Sequence, residues 1–144
     1  MEKQNYKNHL RLLPMFHGFL FLLVLSVLGG AINNLRIAIA ENQNLYNPSL
    51  LLAIAVICMF FFFFMRIFSL KAQDRAIRAE ENLRHFALTG KLLDSRLTIH
   101  QIIGLRFASS DEYVSLAKKA AEENMSQKEI KKTIKNWKGD YYRV

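Results

Sequence analysis

Two apolar runs decide most of what this chain can become. Residues 12–31 and 50–68 consist mainly of Leu, Ile, Val, Ala, Phe and Met, with a single charge, Arg66, near the end of the second. Each is about 20 residues, the length that crosses a hydrocarbon core as a helix rising about 1.5 Å per residue. Pro14 stands near the start of the first run, where a missing N–H costs least, and Pro48 precedes the second. The first helix can extend to residue 40, because Leu35, Ile37 and Ile39 are still apolar. Basic residues precede the first run, and Gly29 and Ala31 imitate a signal-peptide cleavage site. The apolar stretch exceeds a typical signal core, however, so an uncleaved span is expected.

The distribution of Lys and Arg then orients the pair. Lys3, Lys7 and Arg11 precede the first run, only Arg36 lies between the runs, and Arg66, Lys71, Arg75, Arg78 and Arg84 follow the second. Positive flanks stay in the cytoplasm, which predicts cytoplasmic N- and C-termini and an outer loop over residues 33–49. The formal net charge of +8 agrees with a protein that meets phosphate, and lipid headgroups are the nearest source. The single cysteine, Cys58, sits within the second run, where it acts as a small hydrophobe.

Residues 69–144 read as a helical domain. Residues 69–88 lack Gly and Pro and are rich in helix formers, so the second span continues into them until Gly90 supplies a stop. Three helix starts follow: Thr98 with Gln101, Ser109 with Glu112, and Ser126 with Glu129 each have capping-box spacing. Each cap is bracketed by an apolar pair at staple spacing: Leu97 with Ile102, Ala108 with Tyr113, Met125 with Ile130. These signals predict helices over 98–107, 110–124 and 127–138. On the last, Ile130, Ile134 and Trp137 share one face by i, i+4, i+7 spacing, available to the domain core or a partner. Lys128, Lys131, Lys132, Lys135 and Lys138 occupy another face.

The segments EENLRHF, TGKLLDSRLT and QIIGLRFASSDE, then AAEEN and SQKEIKKTIKNWKGDYYRV, resemble an uncharacterised family of small bacterial two-span membrane proteins. LRFASSDE and the IKxW ending carry the resemblance most specifically. It implies a bacterial inner-membrane protein with a helical cytoplasmic tail, and it implies no activity and no site residues.

Several residues invite a chemical reading. His17, within the first span, could ligate haem or relay protons, but the second span offers no His or carboxylate partner, so interfacial hydrogen bonding is preferred. Gly29 and Gly30, near Ser26 and Asn33, form a small-residue patch that would let helices approach closely, either between the two spans or with another protein, and simple tolerance of Gly in lipid is an equal reading. The run Phe60–Phe64 must cover every side of its helix, so most of its rings face lipid rather than a ligand. The lysine stripe could touch nucleic acid, but it holds no Arg, Asn or Gln placed for base edges; a solvated face or attraction to anionic headgroups is preferred. His9, His85 and His100 show no metal spacing, and no phosphate loop or nucleophile motif is present.

The expected fold is therefore an all-α membrane protein: a two-helix transmembrane hairpin over 1–68 and a small helical cytoplasmic domain over 69–144. The expected role is a non-enzymatic inner-membrane accessory or scaffold subunit whose tail docks a partner protein. Its partners would be the bilayer with its anionic headgroups and another membrane protein or a second copy. A membrane-tethered regulator binding nucleic acid through the basic C-terminal helices is the alternative. No cofactor, metal or catalytic residue is expected.

Overall fold

Helix accounts for nearly all the regular structure in the computed structural model, which describes residues 4–9 and 12–140. Lys3, Arg11 and residues 141–144 of the family-like ending lie outside the described residues. A π-helical segment, Pro14–Leu20, leads into α1, Phe21–Ala40; α2 is Tyr46–Thr89, α3 Ile99–Leu105, α4 Ser110–Glu122 and α5 Gln127–Thr133. Among the described residues the only strand-like pairing is one antiparallel bridge, Ala108 with Trp137. The chain divides into two units, residues 11–69 and residues 1–10 with 70–144.

The first unit is an apolar hairpin. Both of its helices are long and apolar enough to cross a membrane. The joint between them is fixed by local chemistry. Asn42 takes a left-handed conformation (φ 52°), which its short polar side chain tolerates. The Gln43 N–H then donates to Ala38 O at 2.9 Å and the Asn42 N–H to Ile39 O at 3.3 Å, the paired bonds of a Schellman stop. Asn44 Oδ1 accepts the Tyr46 N–H at 2.9 Å and starts α2.

Within the hairpin the less exposed positions recur at alternating spacings of three and four. On α1 they are Phe21, Val24, Leu28, Ala31, Leu35 and Ala38; on α2, Pro48, Leu52, Ala55, Met59, Phe62 and Arg66. That is heptad spacing, the pattern of helices that pack side by side. Ala31, Ala38 and Ala55 are buried near the loop end, and Phe62 stacks on Phe16 (4.6 Å) and lies 5.5 Å from Phe21 toward the other end.

The second unit has one closed core. Leu105, Phe107, Tyr113 and Ile130 are its largest fully buried side chains, and Ile77 of α2 joins them. Helices α3 and α5 approach closely at Gly104, where an added Cβ would lie 3.1 Å from Ile130 Cγ2 and 3.3 Å from Gln127 O. Buried Gln101 donates from Nε2 to Met125 O (2.9 Å) and Ala120 O (3.3 Å), so it ties α3 to the last turn of α4 and to the turn that leads into α5.

Residues 4–9 belong to this second unit, so the reading that groups them with the hairpin needs correcting. The cause is aromatic: the His9 ring lies 6.0 Å from Phe107 and 5.8 Å from Trp137. Asp140 adds to the attachment. Its N–H donates to Gln4 Oε1 at 2.7 Å, and its carboxylate pairs with Arg106 at 2.9 Å.

Two further expectations are corrected here. The Ser109–Glu112 capping box does not form, and α5 stops at Thr133 rather than running to residue 138. Both have one cause. After Ile134 turns extended (ψ 123°), the chain runs beside residues 107–109, with the Ser109 N–H donating to Asn136 O and the Lys138 N–H to Phe107 O. The N–H that Glu112 would cap is already taken. Glu112 instead accepts the Lys135 N–H (3.1 Å) and the Asn136 N–H (2.9 Å), donors that a longer α5 would have used internally. The other two boxes form in full, at Thr98–Gln101 and Ser126–Glu129.

Candidate functional site

The end of α2, the loop after it and the middle of α4 enclose a groove of about 360 Å³ in the second unit. Its walls are Leu92, Leu93, Leu97, Val114 and Ala117, with His85, Thr89, Lys91, Asp94 and Lys118 around them. The sequence explains why the groove holds its shape. Gly90, at φ 72°, ends α2 with its N–H donating to Phe86 O at 2.7 Å. His85 Nδ1 then meets Lys91 O at 2.8 Å, and Asn82 Oδ1 accepts the Leu93 N–H at 3.2 Å, so the turn is pinned on both sides.

Asp94, also in the lining, is held by Arg96. It accepts Arg96 Nε at 3.0 Å and Arg96 Nη2 at 2.6 Å, with the Arg96 N–H at 2.9 Å. The guanidinium hydrogen bonds, then the backbone one, hold the Asp94 carboxyl down at about 2. Leu93 and Leu97 turn into the core while Leu92 remains 68% exposed. The groove thus offers an apolar wall with Lys91 and Lys118 at its edge, a shape for holding an apolar side chain.

Behind the groove lies a buried polar node. Arg84 Nη2 donates to Ala108 O at 2.7 Å and lies 3.4 Å from Ser110 Oγ, while Nη1 lies 3.4 Å from Glu81 Oε2. Its guanidinium sits 4.2 Å above the Tyr113 ring. The Tyr113 hydroxyl donates to Glu81 O at 3.1 Å. Burial, and then the charge of Glu81, push the Tyr113 phenol above its ordinary range. The node fastens α2 to the turn between α3 and α4, and sequence reading did not find it. The available signal was Glu81 and Arg84, an i, i+3 pair on the same helix face as Ile77.

The residues singled out from sequence are not brought to this groove. Ile130 and Ile134 are buried in the domain core; Trp137 packs 5.2 Å from Phe107 from the extended segment, not from a shared helix face. The five lysines do not form one stripe. Lys128 is exposed on α5, Lys131 lies over the Phe107 ring, Lys132 lies over the Tyr6 ring, and Lys135 and Lys138 stand beyond the helix. Gly29 and Gly30 are exposed with nothing within 4 Å of an added Cβ, whereas Ala31, Ala38 and Ala55 are buried. His17 Nδ1 lies 3.2 Å from both Leu13 N and Leu13 O, within its own turn. Of Phe60–Phe64 only Phe62 is buried. Among the described residues no group of three or more His, Cys, Asp or Glu is placed to hold a metal ion.

These features define an all-α protein, an apolar two-helix hairpin followed by a small helical domain with a lateral apolar groove. The chain belongs to a family of unknown function, DUF6526, which matches it over residues 1–144. No curated protein and no solved structure matches it.

Proposed function

We propose that this protein is a non-enzymatic accessory or scaffold subunit of a bacterial inner membrane, with both termini cytoplasmic and a partner protein docked on its tail. The observation that carries the docking role is the groove itself, an apolar wall of Leu93, Leu97, Val114 and Ala117 on which Leu92 stays 68% exposed. Apolar surface of that kind marks an interaction site more often than a bare surface. The occupant is an apolar segment of the partner, with Lys91 and Lys118 favouring acidic residues at its edge. The topology is supported by the positive flanks. It is also supported by His9, which meets Phe107 and Trp137; a two-span hairpin returns both ends to one side. The dispersal of the five lysines weighs against a nucleic-acid interface, which would gather cations along one face.

Covering Leu92 would contribute about 1–2 kcal/mol to the complex. The test is a photo-crosslinking side chain at position 92 of the full-length protein in native membranes, compared with one at Ser115 on the outer side of α4. A single adduct from position 92, lost with Val114→Glu, is the expected result. Equal adducts from both positions would sink the docking site.

A further inference from the structure

The stretch of α2 that lies in the tail carries two opposed faces. One faces the domain core through Ile77 and Glu81, with Asp74 and Arg84 partly buried beside them. The other holds Ala72, Ala76, Ala79, Leu83 and Phe86, all exposed, Leu83 by 69% and Phe86 by 50%. Their spacings alternate four, three, four, three, which is a heptad seam with Ala76 and Leu83 at a positions and Ala72, Ala79 and Phe86 at d. No charge falls on this line, although Lys71, Arg75, Arg78 and Glu80 crowd the same segment. An apolar line through a charged helix has the pattern of a helix that pairs.

The flanking charges select the occupant. In this register Arg75 is a g position and Glu80 the e position five residues on. In a parallel two-stranded pair, g of one helix meets that e of the other. Arg75 of each copy would therefore meet Glu80 of its partner copy, twice across the two-fold axis. Among the described residues neither Arg75 nor Glu80 has an ion-pair partner within its own chain. An antiparallel pair would instead set e against e, bringing Glu80 toward Glu80 of the other copy.

We propose that α2 pairs with α2 of a second copy of this chain, in parallel and two-fold symmetric, through Ala72, Ala76, Ala79, Leu83 and Phe86. The three alanines let the helices approach closely before Leu83 and Phe86 meet across the axis. Two heptads are short for a free coiled coil. The pairing draws its strength from the membrane reading above, in which both copies are held in one bilayer, in one orientation and at raised local concentration. The partner groove around Leu92 remains a separate surface.

The experiment uses the full-length protein at low density in membranes, with Cys58→Ser removing the native thiol. Oxidation should join Ala79→Cys chains into dimers, and should leave Arg78→Cys chains, one position off the seam, as monomers. Charge reversal then tests the register. Arg75→Glu and Glu80→Arg should each lower the cross-linked yield of Ala79→Cys about five-fold, and the double variant R75E/E80R should restore it. Equal joining at Arg78→Cys, or no restoration by the double variant, overturns the pairing. Alkaline carbonate extraction of the same samples keeps the two readings apart. Dimers stripped from the membrane would support the pairing while sinking the membrane reading. Carbonate-resistant chains that fail to join at Ala79→Cys would sink the pairing alone.

Discussion

Removing the charge of Arg84 while keeping its stem, Arg84→Met, should destabilise the tail domain by about 3 kcal/mol. Two losses set that figure. The bond to Ala108 O at 2.7 Å has a charged donor and contributes about 1.5–3 kcal/mol. Glu81, only 5% exposed, is left without its neighbouring cation, and breaking a buried pair costs about 3–5 kcal/mol. These do not add, because the same guanidinium serves both. The long 3.4 Å separation from Glu81 puts the total at the low end. Trp137, the chain's one tryptophan, packs on Phe107 and reports the unfolding directly. In urea titrations of the full-length protein in a non-ionic detergent, a 3 kcal/mol loss moves the midpoint down by about 1–3 M. Glu81→Gln combined with Arg84→Met removes the stranded charge and should recover about 1–2 kcal/mol. A single variant within about 1 kcal/mol of the parent, or a double variant no better than the single, would refute the idea that Arg84 neutralises Glu81.

Two other outcomes test the packing and the titration of the same domain. Gly104→Ala gains helix propensity of roughly 0.5–1 kcal/mol but presses a methyl against Ile130 and Gln127 O, an overpacking cost of about 1–3 kcal/mol, so the net urea midpoint should fall; a raised midpoint would mean that α5 shifts freely. Tyr113 has a folded pKa above its unfolded value of about 10, so its contribution is complete below pH 10 and is lost as pH rises through the folded value. The alkaline fall in midpoint should therefore flatten in Tyr113→Phe, and an unchanged alkaline limb would place the titrating group elsewhere.

Local signals carried most of the helical plan. Thr98, Ser126 and Gly90 act on their own immediate backbone, so their roles can be read without knowing what packs where. Ser109 shows the limit of that logic. Its spacing to Glu112 is as good as the other two, and its apolar staple pair, Ala108 and Tyr113, is fully buried. The box still fails, because a segment 27 residues further on, at Asn136, takes the N–H that Glu112 would have capped. The same long-range event truncates α5 and scatters the lysines, so the predicted stripe rested on one misplaced helix end. Gly29 and Gly30 lie off the hairpin seam, open to contact with another protein rather than packed between the spans. Small residues permit close approach, but the seam follows spacing, and Ala31, Ala38 and Ala55 hold the register while the glycines fall outside it.

What no local signal announces is the attachment of the N-terminus. Residues 4–9 precede the first apolar run and look like a simple basic flank. Yet His9 meets Phe107 and Trp137, Gln4 accepts from Asp140, and Tyr6 lies under Lys132. Every one of these contacts joins residues more than 90 positions apart, so periodicity cannot see them. They bear on topology in a way charge counting does not. The positive-inside argument assigns each end to a side separately, from its own lysines and arginines. A packed contact between the two ends allows only arrangements with an even number of crossings between them. The proposed topology, in which both long apolar helices cross, would meet that condition.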